Sequence, residues 1–79
     1  MQNTPKQQER LWLRLLRISK GHTQISLGKA VGLAAPTISS YEKGELTPKP
    51  PAAIRLGKEL GFDWKRFYED TESEEIKGA

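Results

Sequence analysis

The side chains of this chain that could do chemistry are mostly hydrogen-bond donors rather than catalytic groups. His22 is the single histidine and cysteine is absent, so neither a zinc site nor a thiol nucleophile is expected. The sequence also lacks a glycine loop of the phosphate-cradling type and a close pair of carboxylates in a pocket-forming context. These features argue against an enzyme, and we expect no cofactor and no bound metal.

The charged residues are distributed unevenly along the chain. Residues 1–31 have six Lys or Arg and one Glu, which gives a net charge of +5. Residues 32–57 have three Lys or Arg and two Glu, which gives +1. Residues 58–79 have four Lys or Arg and seven Asp or Glu, which gives −3. A basic first half fits a polyanionic partner, but such a charge is also common in soluble domains that bind none.

The length of the chain, 79 residues, leaves room for one domain with a small core. Its apolar runs are far shorter than the roughly 20 residues that span a bilayer, and it does not begin with a signal-peptide pattern. We therefore expect a soluble cytoplasmic domain that does not contact a membrane.

Hydrophobic periodicity predicts helices along the whole ordered part of the chain, and no segment shows the sustained alternation of a strand. Glycines and prolines divide the pattern into five short helices, so the predicted class is all-α. The predicted helices are residues 5–20, 24–31, 35–43, 51–60 and 64–69. An acidic segment poor in apolar groups, residues 70–79, is predicted to be a frayed tail.

The first predicted helix has an apolar stripe and a basic stripe. Leu11, Leu15 and Ile18 recur at i, i+4 and i+7, the spacing of a helix face that packs on a core. We interpret the basic stripe as a solvated helix face, and the alternative is a track for phosphate groups. The basic stripe consists of Lys6, Arg10 and Arg14.

The segment Gln24 to Tyr41 fits two short helices joined by a tight turn. Thr23 is a good N-cap for the first of them. Gly28 would be the small residue that faces the partner helix, and Gly32 would supply the positive φ that the turn needs. The apolar positions that lock the pair together are occupied by Leu27, Val31, Leu33, Ile38 and Tyr41. This pattern predicts a helix-turn-helix.

From Leu16 to about Phe67 the sequence resembles the Xre-type helix-turn-helix family, which includes the DNA-binding domains of phage lambda repressor and Cro. The matching segments are LLRISKGHTQISLGKAVGL, TISSYEKG, the TP before the fourth helix, and LGKELGFDW. The resemblance implies a compact five-helix lambda-repressor-like domain, here residues 5–69. It also implies a cytoplasmic transcription regulator, which we expect to be a repressor, that binds double-stranded DNA, usually as a homodimer on a palindromic operator.

The resemblance assigns expected DNA contacts to individual residues. Gln24 would bind a phosphate at the N-terminus of the second helix, and the alternative is that it is an ordinary polar residue of the first turn. Four positions of the third helix, which lies in the major groove in this family, would approach base edges: Ala35, Pro36, Ser39 and Ser40. Further contacts to the DNA backbone are expected from Thr37, Lys43 and Lys49.

Other positions are expected to have structural roles. Arg17 and Glu42 match a pair that in this family joins the first and third helices. A partly buried Arg and Glu must pair with each other, because an unpaired buried charge is costly. His22 replaces a usual aliphatic residue, so its ring is expected at the edge of the core. Trp64 is expected in the core, and candidate dimer contacts are Phe67 and Tyr68.

The start of the third helix departs from the family pattern. Ala34 stands where Ser or Thr usually caps this helix, and Ala is worth about 1 kcal/mol less there. Pro36 compensates in part because it fixes φ near the helical value. A tip without donors or acceptors cannot make bidentate base contacts, but it can touch a thymine methyl group.

A second interpretation uses the same fold for another purpose. The chain could be an antitoxin or an adaptor whose aromatic C-terminal helix holds a protein partner. Loss of any salt-dependent binding to a duplex would favour this alternative over a DNA-binding regulator.

Overall fold

A computed structural model describes residues 9–69. The helices are α1, Leu11–Ser19; α2, Gln24–Val31; α3, Ala35–Lys43; and α4, Pro50–Leu60. Residues 66–69 form a last helical turn, α5. The residues described contain no strand, so the predicted all-α class is confirmed. The predicted start at Pro5 and the predicted tail, residues 70–79, lie outside the described range.

The chain divides into two units between Leu46 and Thr47. The first unit contains α1, α2 and α3, and α3 packs against both of the other helices. The second unit contains α4 and α5. Over residues 9–69, every helix is too short or too polar to cross a membrane.

Local sequence rules place both ends of α2. The Ser26 N–H donates to Thr23 Oγ1 at 2.9 Å, and the Thr23 N–H donates to Ser26 Oγ at 3.0 Å, a capping box. Gly32 ends the helix with a φ of 76°, in the left-handed region that favours glycine. The predicted bounds of α2 and α3 are both confirmed.

Gly28 permits a close approach, but to the turn rather than to the body of α3. A Cβ at this position would overlap the Leu33 carbonyl oxygen. The Leu33 N–H in turn donates to the Gly28 carbonyl at 2.8 Å. The absence of a side chain therefore lets the chain fold back directly after α2.

The core of the first unit differs from the predicted one on α1. Leu13 is buried there, whereas Leu11, Leu15 and Ile18 are each more than half exposed. The prediction that these three residues pack on a core is wrong. Within the described residues the helix begins at Leu11, and residues 9 and 10, which were predicted to be helical, are not. The other buried apolar residues of this unit are Leu27, Val31, Ile38 and Tyr41.

In the second unit, α4 begins one residue earlier than predicted. Its first two positions are both proline, which is tolerated there because an N–H group at the start of a helix would have no helical acceptor, so its absence costs no hydrogen bond. Leu56 and Leu60 are buried as predicted, but Ile54 is exposed and the prediction that it faces inward is wrong. Ala53 is buried instead.

The aromatic residues that follow α4 pack in pairs. Phe67 is completely buried, and its ring contacts Phe62 edge-on at 5.5 Å between centroids. A buried ring offers no surface to a second chain, which corrects the proposed dimer contact at Phe67. Trp64 is half-buried and meets Tyr68 edge-on at 5.8 Å, and the Tyr68 hydroxyl donates to the Pro48 carbonyl at 2.8 Å.

Candidate nucleic-acid interface

A buried ion pair fixes the C-terminal half of α3 to α1. Arg17 Nε donates to Glu42 Oε2 at 2.6 Å, and Arg17 Nη2 donates to Glu42 Oε1 at 3.3 Å. The two residues are only 8% and 7% exposed. A third donor, Arg17 Nη1, reaches the His22 carbonyl at 3.0 Å. The predicted contact between Arg17 and Glu42 is therefore present, and it also holds the loop that leads into α2.

Gln24 extends this network to α2. Its Nε2 donates to Glu42 Oε1 at 3.1 Å. Because a carboxylate only accepts, the atom that faces Glu42 must be the amide nitrogen, which has two hydrogens to donate. One hydrogen is used inside the protein, and the second is available for an external acceptor. The expected phosphate contact of Gln24 is compatible with this geometry.

Arg10 holds the same end of α3 through backbone groups. Its Nη1 donates to the Tyr41 carbonyl at 2.7 Å and to the Leu46 carbonyl at 2.9 Å, and its N–H donates to the Glu42 carbonyl at 2.7 Å. Carbonyls at a helix C-terminus lack helical partners and attract cations. Arg10 is 3% exposed, so the interpretation of this residue as part of a solvated face is wrong.

The N-terminal end of α3 is held without any polar side chain. Ala34 is the N-cap residue and makes no side-chain capping bond, while Pro36 occupies the second helical position. Ala35 is half-buried and Pro36 is exposed. The tip thus presents methyl and methylene groups, which can contact a thymine methyl but cannot make a base-specific hydrogen bond.

The polar residues of α3 are accessible to different degrees. Thr37, Ser39 and Ser40 are half-buried, and Lys43 is exposed at the end of the helix. Lys49 belongs to the second unit, where it is the exposed N-cap residue of α4.

A cleft of about 260 Å³ lies among α1, α2 and α3. Three residues with expected DNA contacts line it together, namely Gln24, Ser39 and Lys43. Arg14, which the sequence analysis placed on a solvated face, is exposed and lines the same cleft. The remaining predicted contact residues of α3 do not line it: Ala35, Pro36, Thr37 and Ser40.

His22 lies beside the network rather than in the cleft. Its ring is half-buried, as expected, and its Nδ1 is 2.8 Å from Ser26 Oγ. The His22 side chain thus contacts a residue of the α2 capping box and contributes to the start of that helix.

Sequence reasoning missed the anchoring role of Arg10 and the buried position of Leu13. One signal was present, because Arg10, Leu13 and Arg17 follow one another at spacings of three and four, which places them on one helix face. The apolar stripe of Leu11, Leu15 and Ile18 lies on another face of α1, and that face was predicted to be the buried one.

Comparisons with known proteins identify the family of the chain. A family model described as helix-turn-helix matches residues 13–67. The chain is 36% identical over 61 residues to the uncharacterized HTH-type transcriptional regulator YqaF of Bacillus subtilis strain 168, covering 77% of this chain and 80% of that protein. No solved structure matches the chain. The matched range begins within α1 and ends in α5, so it includes all of α2 and α3.

Proposed function

Because this chain belongs to the lambda-repressor-like helix-turn-helix family of DNA-binding transcriptional regulators, we propose that it is a sequence-specific repressor whose α3 lies in the major groove. It acts in the cytoplasm as a homodimer on a palindromic operator. Half-sites about one helical turn apart would match the two-fold symmetry of such a dimer.

The observation that supports the proposal is the way in which contacts within the protein hold α3. Arg17 and Glu42 fix its C-terminal half from inside the protein, at 2.6 Å. Its N-terminal tip has no side-chain cap, and Pro36 at the tip is exposed. A helix that is rigidly oriented and uncovered at its tip is suited to insertion into a groove.

Contacts to phosphates and contacts to bases are expected from different residues. Contacts to phosphates come from the amide of Gln24, the hydroxyl of Thr37 and the positive charges of Lys43 and Lys49, and they provide affinity without sequence information. Base preference comes from the hydroxyl groups of Ser39 and Ser40 and from the methyl contacts of Ala35 and Pro36. Since these base contacts are few, DNA shape between half-sites contributes to specificity.

Two substitutions separate these contributions. Ser40→Ala should reduce the preference for a selected operator over random duplex, whereas Lys43→Ala should weaken binding to both by a similar factor and lower the salt dependence. The operator is first selected from a random duplex pool, and dissociation constants are then measured across a salt series. Equal effects of both substitutions on specific and random duplex would contradict the assignment.

An adaptor or antitoxin function is the second candidate, and one observation favours it. Leu11, Leu15 and Ile18 form an apolar stripe on α1 that is more than half exposed, and exposed apolar patches are typical of protein interfaces. Tyr68 is also accessible in part. If the wild-type chain shows no salt-dependent binding to any duplex, this function replaces DNA binding.

A further inference from the structure

We propose that the exposed apolar stripe of α1, formed by Leu11, Leu15 and Ile18, is a docking surface for an acidic amphipathic helix of a protein partner. The stripe contains none of the residues with expected DNA contacts, so the inference goes beyond DNA binding and does not depend on it. It also goes beyond the adaptor alternative, because it assigns the partner a charge and a spacing of its apolar residues.

The stripe lies on the outer side of α1. Successive residues of an α-helix are about 100° apart, which places Leu11, Leu15 and Ile18 close together around the helix axis. Leu13 and Arg17 bury the opposite side. Each residue of the stripe is between 52 and 56% exposed. A single exposed leucine is ordinary, but three apolar residues in one row along a nine-residue helix form a continuous accessible surface.

The spacing of the stripe fits a helical partner. Residues at i, i+4 and i+7 follow one side of α1 over two turns, and a second helix packed alongside presents apolar residues at the same spacing. The surface is small, because stable protein dimers bury about 800 Å² on each partner and three half-exposed side chains provide less. We therefore expect a weak, reversible complex with a short helix.

The charges beside the stripe favour an acidic partner. Arg14 lies three residues after Leu11 and four before Ile18, so it neighbours both on the helix surface. Lys20, the C-cap residue, is exposed after the last turn. The helix itself, LWLRLLRIS, contains no Asp or Glu. A partner with carboxylates beside its apolar residues would therefore be electrostatically complementary to this surface.

Two other occupants fit these charges less well. If two copies of α1 packed antiparallel about a two-fold axis at the middle of the stripe, both Arg14 side chains would lie close together on one edge, and like charges across an interface oppose association. Segments that bind anionic lipids have about four to eight Lys or Arg. The exposed cations of α1 and its C-cap are only Arg14 and Lys20, since Arg17 is buried and paired with Glu42.

The test uses two synthetic helical peptides with three leucines at the spacing of the stripe. One peptide has Glu at the positions beside the leucines, and the other has Lys there. Fluorescence anisotropy measures binding of each labelled peptide to the full chain over a series of KCl concentrations. The Glu peptide should bind, with an affinity that falls as salt increases, and the Lys peptide should bind at least about tenfold more weakly.

Three variants of the protein locate the site. Leu15→Gln removes the central apolar contact and should weaken binding of the Glu peptide at least about tenfold. Arg14→Glu should reverse the preference in favour of the Lys peptide. The matched control is Ile54→Gln, which replaces an exposed apolar residue of α4 and should bind both peptides as the wild type does. Far-UV circular dichroism verifies folding, since replacement of exposed residues has little effect on stability.

The outcomes distinguish the proposed helix from the other occupants. Equal binding of both peptides, no binding of either, or binding that Leu15→Gln leaves unchanged would overturn the proposal. Analytical ultracentrifugation and co-sedimentation with phosphatidylserine and phosphatidylcholine vesicles complete the test in the absence of peptide binding. A wild-type dimer that Leu15→Gln dissociates would assign the stripe to a second copy, and vesicle binding that Leu15→Gln abolishes would assign it to a membrane surface. The duplex titrations with Ser40→Ala and Lys43→Ala test DNA binding separately.

Discussion

The two ends of α3 are held by different physical means. At the C-terminal end, Arg10 and Arg17 make buried hydrogen bonds of 2.6 to 2.9 Å to backbone carbonyls and to Glu42. At the N-terminal end, Ala34 makes no side-chain bond, and the turn is positioned by the tight approach of its backbone to Gly28. The C-terminal end of α3 is therefore held by charged hydrogen bonds, and the N-terminal end by close packing of the backbone.

This difference separates the parts of α3 that determine stability from those that contact a ligand. Buried charged contacts are costly to break, so changes at the C-terminal end should affect folding before they affect DNA binding. The N-terminal tip carries no such contacts, so its side chains can vary with little effect on the fold. Substitutions at each end test whether this separation holds.

The largest effect is expected at the charged end. Arg17→Ala should lower the free energy of unfolding by about 3 kcal/mol, because it leaves the Glu42 carboxylate buried without its ion-pair partner. Urea denaturation followed by circular dichroism measures this loss. A loss below about 1 kcal/mol would show that the ion pair does not anchor α3.

Two control variants sharpen this prediction. Arg14→Ala removes an exposed arginine from the same helix and should change stability by less than about 0.5 kcal/mol. The double variant Arg17→Met with Glu42→Leu removes both charges and should recover most of the stability lost in Arg17→Ala, because apolar residues of similar volume can replace a buried ion pair.

An intermediate effect is expected at Gly28, where close packing of the backbone positions the N-terminal end of α3. Gly28→Ala should destabilise the protein by about 2 kcal/mol, because the added Cβ overlaps the Leu33 carbonyl oxygen and the turn must shift. Thermal and urea unfolding measure the change. The sign is decisive, since Ala in an unobstructed helix position would instead stabilise by about 1 kcal/mol.

Ala30→Gly provides the matched control in α2. Ala30 is exposed, so this substitution measures the propensity difference between Ala and Gly without a steric contact. If Gly28→Ala proved stabilising by the amount that Ala30→Gly is destabilising, the close approach would have no energetic importance.

The smallest effect is expected at the bare tip. Ala34→Ser should raise the free energy of unfolding by about 1 kcal/mol, because its hydroxyl can accept from the N–H groups of the first turn that lack helical partners. The midpoint of urea unfolding reports the gain. An unchanged midpoint would mean that the extended N-cap geometry of Ala34 does not let a hydroxyl reach those groups.

The helix-turn-helix was the part of the fold most accessible to sequence reasoning. The capping residue Thr23 and the positive φ of Gly32 are local requirements, and each was predictable from residue type alone. The bounds of α2 and α3 therefore follow from the sequence. The pair of Arg17 and Glu42 was predictable only through the resemblance to a known family, because 25 positions separate its members.

The orientation of α1 could not be predicted in the same way. The apolar stripe of this helix, LWLRLLRIS, predicts that Leu11, Leu15 and Ile18 are buried, but that is not the face that packs on the core. The buried face contains Leu13 and two arginines, Arg10 and Arg17. An arginine is buried only where acceptors are available, and most of the acceptors of Arg10 and Arg17 lie more than 20 positions away in sequence.

The sequence by itself determined where α2 and α3 begin and end, that the chain is all-α, and which residues form the apolar, uncapped tip of α3. These features depend on backbone preferences and on contacts within a few residues. Only the tertiary structure decided which face of α1 is buried, that Arg10 caps α3 from outside, and that Arg14 and Gln24 line one cleft. The reason is that acceptors and cleft walls come from distant segments, so no local pattern specifies them.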